Sequence, residues 1–148
     1  MVAIKYLLDS NIVSEPARLQ PDNQVLQRFA DYDGQYATAS IVWHELVYGC
    51  ELLPASKRKK QLQSYLAMLL ANGLRILPFD QAAADWFGKQ RARLQLQGKT
   101  SAYADGEIAA IAVSQNLTLV TRNTKDFENF QGLVLENWFE PDINRGKS

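Results

Sequence analysis

The chain has one cysteine, one histidine, no excess charge of either sign and no long apolar run. A lone Cys50 excludes an intramolecular disulfide and a cysteine-built zinc site, and it fits a reducing cytoplasm. Sixteen Lys and Arg cancel sixteen Asp and Glu. There is thus no global positive field of the kind that steers many nucleic-acid binders, and such a function would have to use local patches. No stretch approaches the roughly 18 uninterrupted apolar residues of a membrane span. The opening MVAIKYLL meets Asp9 too early to be a signal peptide. The expectation is a soluble, cytoplasmic protein without a membrane partner.

What is present is the material of one ordinary domain. At 148 residues, 47% apolar and 22% charged, the chain can bury a core and is too short for two. Ile4 to Leu8, Tyr36 to Thr38, Leu74 to Phe79, Leu117 to Thr121 and, more weakly, Leu133 to Leu135 read as short strands. Between them lie helical stripes. One starts at Asp22, one after Ser40 as an N-cap, one from Lys57 to Leu70, one capped by Asp80, and an Ala/Ile-rich one from Ala104 to Ser114. Alternating strands and helices predict an α/β domain with a central, mostly parallel sheet flanked by α-helices, spanning 1–139. Residues 140–148 are polar and read as a frayed tail. In such sheets the ligand crevice lies beyond the carboxyl ends of the strands.

Four acids fall near that edge. Asp9 directly follows the first strand in LLDSN, and Asp126 follows the Leu117–Thr121 strand in TRNTKDF. Glu45 and Asp105 sit early in helices that begin at the same edge. Each alone has a bland reading as a cap, a solvated side chain or a helix-dipole acid. Together they are costly: at an effective dielectric near 20, a like-charge pair about 4 Å apart repels by ~4 kcal/mol. Such a cluster raises its pKa values or binds a hard cation. Oxygen ligands without usable His or Cys suit Mg²⁺, with Mn²⁺ next, and lead to phosphodiester chemistry.

LLDSNIVSE, HELVYG, ADGEIAAIA and LVTRNTKDF, in this order over residues 4 to about 135, resemble the PIN-domain ribonucleases, and within them the VapC-like toxins of type II toxin–antitoxin pairs. The resemblance implies a PIN-like fold, a Mg²⁺-dependent endoribonuclease, a homodimeric toxin and a small VapB-like antitoxin as cognate inhibitor. It matches Asp9, Glu45, Asp105 and Asp126 to the family's acidic metal site. Asn11 and Thr121 match its supporting polar residues, and Asn123 a polar neighbour of the metal. Ser10 stands where Thr is commoner. Asp9 and Asp105, on the most rigid supports, are the expected metal ligands; Glu45 and Asp126 are candidates for a second metal, water orientation or general base. The rival readings are a catalytically silent PIN-like module that binds RNA or a partner, and a metal-dependent phosphohydrolase on another substrate.

RNA needs some basic surface even at zero net charge. The candidates are Lys57, Arg58, Lys59 and Lys60, the helix bearing Arg91 and Arg93, and Arg122, with Lys89 and Lys99 beside them. A charge run at a helix start is otherwise a solvated face. His44, Trp43 and Trp86 read better as structural or interface residues than as a proton shuttle or base-stacking platforms.

Overall fold

The structure is a computed structural model that describes residues 3–142. Five strands form one sheet: β1 (Tyr6–Leu8), β2 (Tyr36–Ala39), β3 (Arg75–Leu77), β4 (Thr118–Val120) and β5 (Leu135–Glu136). Their order is β3-β2-β1-β4-β5, and every neighbouring pair is parallel. Parallel sheets are covered on both faces, and the central strands show it: Leu7, Leu8, Ala37, Ala39, Leu119 and Val120 are fully buried.

The strands are shorter than the apolar runs that announce them. β1 stops where Leu8 has paired with Thr38 and Val120, because Asp9 then caps a short helix, α1 (Ser10–Val13). β3 stops before Pro78, which has no N–H to continue the ladder. The last strand lies at Leu135–Glu136, so its start at Leu133 is corrected by two residues.

The helical caps follow local chemistry. α2 (Asn23–Asp31) is capped by Asp22, whose carboxylate accepts the N–H of Gln24 and Val25. α5 (Gln81–Leu96) is capped by Asp80. Ser56 caps α4 (Lys57–Ala71) by accepting the Lys59 N–H at 3.1 Å. α3 (Ser40–Glu51) departs from expectation. Its N-cap is Ala39, without a side-chain bond, and Ser40 is already helical because β2 runs straight into the helix. In α6 (Tyr103–Ser114), Gly106 and Ile108 to Ala112 are all buried, which its near-continuous apolar sequence demands. No helix among the described residues is long and apolar enough to cross a membrane.

Trp138, which the pattern of the sequence does not single out, is fully buried at the centre of Tyr6, Phe29, Tyr32 and Tyr36. Beside it Arg28, only 4% exposed, donates to Glu136 at 3.2 Å and to the Glu140 carbonyl at 2.9 Å, and lies 3.6 Å from Asp142. Residues 140–142, read from sequence as the start of a frayed tail, are therefore tied to α2. Residues 143–148 of that tail lie outside the described residues.

Candidate active site

The strand order reverses around β1. The chain builds β2 and β3 on one side, then crosses to lay β4 and β5 on the other. A crevice opens at such a switch point, beyond the carboxyl ends of β1 and β4. The first residues past those ends are Asp9 and Thr121.

Asp9 is 8% exposed. Its N–H donates to the Val120 carbonyl at 2.9 Å, which fixes its backbone to β4. Its Oδ1 accepts the Ser10 N–H and its Oδ2 accepts the Thr121 hydroxyl, both at 2.8 Å. Burial raises the carboxyl above its ordinary range; these two hydrogen bonds oppose the rise, and the Asp126 charge adds to it. Thr121, itself fully buried, also accepts the Asn123 N–H at 3.1 Å. Asn11 Oδ1 accepts the Arg122 N–H at 3.2 Å. The three polar residues thus support the crevice by holding the loop after β4, Asn123 through its backbone.

Asp105 lies on the first turn of α6, half-buried. Its carboxyl is pushed up to about 6, first by burial, then by the charges of Asp9, Asp126 and Glu45. Glu45 stands on α3, and Asp126 on a 3₁₀ turn, Thr124–Phe127; both are exposed. Four acids from separate parts of the chain therefore share one electrostatic neighbourhood. They are not a closed cage: among the described residues, no three His, Cys, Asp or Glu are gathered so as to hold a metal ion by themselves.

Both carboxyls are raised, so the folded chain holds protons that the unfolded chain releases, and stability falls as pH rises between the two values. For Asp105 that window runs from 3.8 to about 6. Without divalent cation, Asp105→Asn should melt above the parent at about pH 7.5, and the advantage should shrink by about pH 4.5, where the parent acid is mostly neutral as well. A melting difference that does not change with pH would count against the shared neighbourhood.

The basic candidates divide. Arg93 is tied to Gln90 and to the Asn129 carbonyl, and Lys59 to the Glu51 carbonyl and carboxylate. Arg58 donates to the Ala17 carbonyl. The run 57–60 is thus not the uniformly solvated face that its sequence suggests; only Lys57 and Lys60 are exposed. Arg91 lies 4.4 Å over the Tyr103 ring. Trp86 packs on Phe130 and Trp43 is half-buried, whereas His44 is exposed near Tyr48. Sequence reading missed the Ser10 N–H as a partner of Asp9. The signal was the placement of Asp9 as a helix cap directly after a strand.

The PIN domain family matches residues 6–133. The chain belongs to the PIN-domain family. Among PIN-domain relatives, ribonuclease VapC2 of Rickettsia felis is 36% identical over 135 residues, covering 90% of this chain and 97% of that one. Toxin FitB of Neisseria gonorrhoeae is 36% identical over 138 residues, covering 90% and 99%. The solved structure of FitAB bound to an IR36 DNA fragment superposes with a TM-score of 0.84 at 31% identity, over 95% of this chain and 99% of that one. The matched span takes in β1 to β4 together with α3 and α6, and β5 lies just beyond it.

Proposed function

We propose that this PIN domain is a Mg²⁺-dependent endoribonuclease, the toxin of a VapBC-type pair, acting through Asp9, Asp105, Glu45 and Asp126. The observation that carries the reading is the Asp105 carboxyl at the switch point of the sheet, held up first by burial and then by the charges of Asp9, Asp126 and Glu45. Such a set relieves its repulsion by taking a cation. The donors are all oxygen, which suits Mg²⁺ or Mn²⁺. The absence of a closed three-ligand cage suits an ion held by one or two carboxylates and its own waters. The names of the relatives, a ribonuclease and a toxin, support the substrate class and the role.

Asp9 and Asp105 are the groups that would hold the ion, because a strand end and a helix start present them on rigid supports. When bound, the ion lowers the pKa of water and offsets charge gathering on the phosphate. Thr121 and the Ser10 N–H keep the Asp9 carboxylate oriented, so no side chain has to reorganise when substrate arrives. Glu45 and Asp126 are exposed, so their role in this reading is to meet substrate and orient water. The reaction is hydrolysis: a water adds at phosphorus and one ester oxygen leaves with a proton.

A ribonuclease made in its own cell must be restrained. The acidic centre fits an antitoxin arginine, which would pair with the carboxylates in place of the ion. A likeness to FitAB supports a cognate partner and a higher assembly, and the proposed assembly includes a homodimer of the toxin. Expression of the chain alone should arrest growth and degrade RNA, co-expression of its cognate antitoxin should lift the arrest, and Asp105→Asn should not arrest growth at all. Equal arrest by both forms would show that toxicity does not come from these acids.

A further inference from the structure

The loop between the 3₁₀ turn Glu15–Ala17 and α2 carries a surface that the acidic centre leaves unused. Arg18, Leu19 and Gln20 are exposed, Leu19 at 90%. On one side of the loop lies a cavity of about 220 Å³ lined by Glu15, Arg18, Gln20, Asp22, Arg122 and Phe139. On the other lies one of about 530 Å³ lined by Arg18, Leu19, Gln20 and Arg58. Arg18 and Gln20 line both, so the two form one shallow groove with three arginines along it.

The groove starts beside the acidic centre. Arg122 follows Thr121, the residue that holds Asp9, and its own N–H is held by Asn11. Its guanidinium lies 4.2 Å over the Phe139 ring. That contact uses the flat face and leaves the N–H edges for an anion. Among the described residues Arg18 has one ion pair, to Glu15 at 3.9 Å, and its side chain is 63% exposed, so little holds it back. Arg58 is anchored by one donor on the Ala17 carbonyl at 2.8 Å and keeps others. The two acids in the lining are engaged: Glu15 is 4% exposed and accepts the Asp22 N–H at 2.9 Å, and Asp22 caps α2.

We propose that this groove is the track on which a single RNA strand leaves the acidic centre, with Arg122, Arg18 and Arg58 meeting its phosphates. The proposal rests on the ribonuclease reading. Four carboxylates repel phosphate, and a chain of zero net charge supplies no compensating field. Attraction must therefore come from cations near the centre, and Arg122, next to Thr121, joins it to the groove that also holds Arg18 and Arg58. A shallow groove with three arginines along it, whose aromatic ring already carries one of them, suits a repeating anion better than a protein segment that needs deep apolar pockets for its anchors.

The test uses the Asp9→Asn protein, so that RNA is bound without being cut. Binding of a labelled single-stranded RNA is followed by fluorescence anisotropy over a salt series with Mg²⁺. Adding Arg18→Gln and Arg122→Gln should raise Kd about tenfold and flatten the salt slope by about 1.4, two phosphate contacts of about 0.7 each. Arg75→Gln, at the start of β3 and at the opposite end of the sheet, removes one such charge away from the groove and should change neither. An unchanged Kd and slope in the Arg18/Arg122 variant overturns the track, as does an equal effect of Arg75→Gln. Loss of oligoglutamate binding with RNA binding intact also overturns it, and gives the groove to an acidic protein segment. A parent chain that binds RNA through the groove yet cannot cut it sinks the nuclease reading and supports the track.

Discussion

Asp9→Asn should fold, bind RNA and cleave it about a hundred- to a thousandfold more slowly than the parent, the scale on which loss of one preorganised electrostatic group acts. The substitution keeps the volume and removes the charge that a cation requires. Its structural cost is small and can be traced. The Asn carbonyl can still accept the Ser10 N–H, but its amide would face the Thr121 hydroxyl, which now donates to Asp9 Oδ2 and accepts from Asn123. A buried hydroxyl proton then loses its acceptor, at a cost of about 1–3 kcal/mol. Against this stands relief of a buried carboxylate whose pKa burial and Asp126 hold up. The two oppose each other, so thermal stability should stay close to that of the parent. Single-turnover cleavage of RNA in saturating Mg²⁺ reads the effect, and parent-like cleavage would remove Asp9 from the site.

The largest effect on stability should come from Gly106→Ala. A Cβ on Gly106 would clash with the edge of the Phe87 ring, whose Cε1, Cζ and Cδ1 are the nearest atoms. Gly106 follows Asp105 on α6, and Phe87 is buried on α5 between Phe79 and Tyr103. The ring cannot swing away without displacing these neighbours, so the α5–α6 contact must open. Overpacking of this kind costs about 1–3 kcal/mol or more, even though Ala is the better helix former by about 1 kcal/mol. Chemical denaturation should show Gly106→Ala less stable than the parent by at least that much. Phe87→Leu in the same chain should recover part of the loss by making room for the methyl group. A stable Gly106→Ala protein would mean that the two helices do not meet as closely as described. Asp105 rides on the same turn, so a loosened contact should also lower cleavage.

The family was legible because its signals are local. Asp9 after a β-run, Asp22 and Asp80 before helical stripes, and the TRNTKDF segment each carry meaning within a few residues, where capping and strand propensity operate. The strand ends were less legible: pairing, not hydropathy, sets them, and β3 ends at Pro78 for want of a donor. Ser40 misled for a related reason. It has the chemistry of a cap, but the strand before it leaves no room for one, and Ala39 occupies the position.

By itself the sequence determined the α/β class, the four acids and the exclusion of a cysteine zinc site, since composition and short-range pattern carry these. Tertiary structure alone decided where along the carboxyl edge the crevice lies, because the reversal of strand order around β1 is a property of the whole sheet. It also decided which charges remain available. Arg58, Lys59 and Arg93 look alike in the sequence, yet Lys59 is paired with Glu51 and Arg93 with Gln90 and Asn129, whereas Arg58 lines a groove. Arg28 and Trp138 tell the same story at the far end of the chain, where contacts more than a hundred residues apart in sequence bind Glu136, Glu140 and Asp142 to α2. Long-range partners are set by packing and by the burial that raises the Asp105 carboxyl, and neither is written in any window of a few residues.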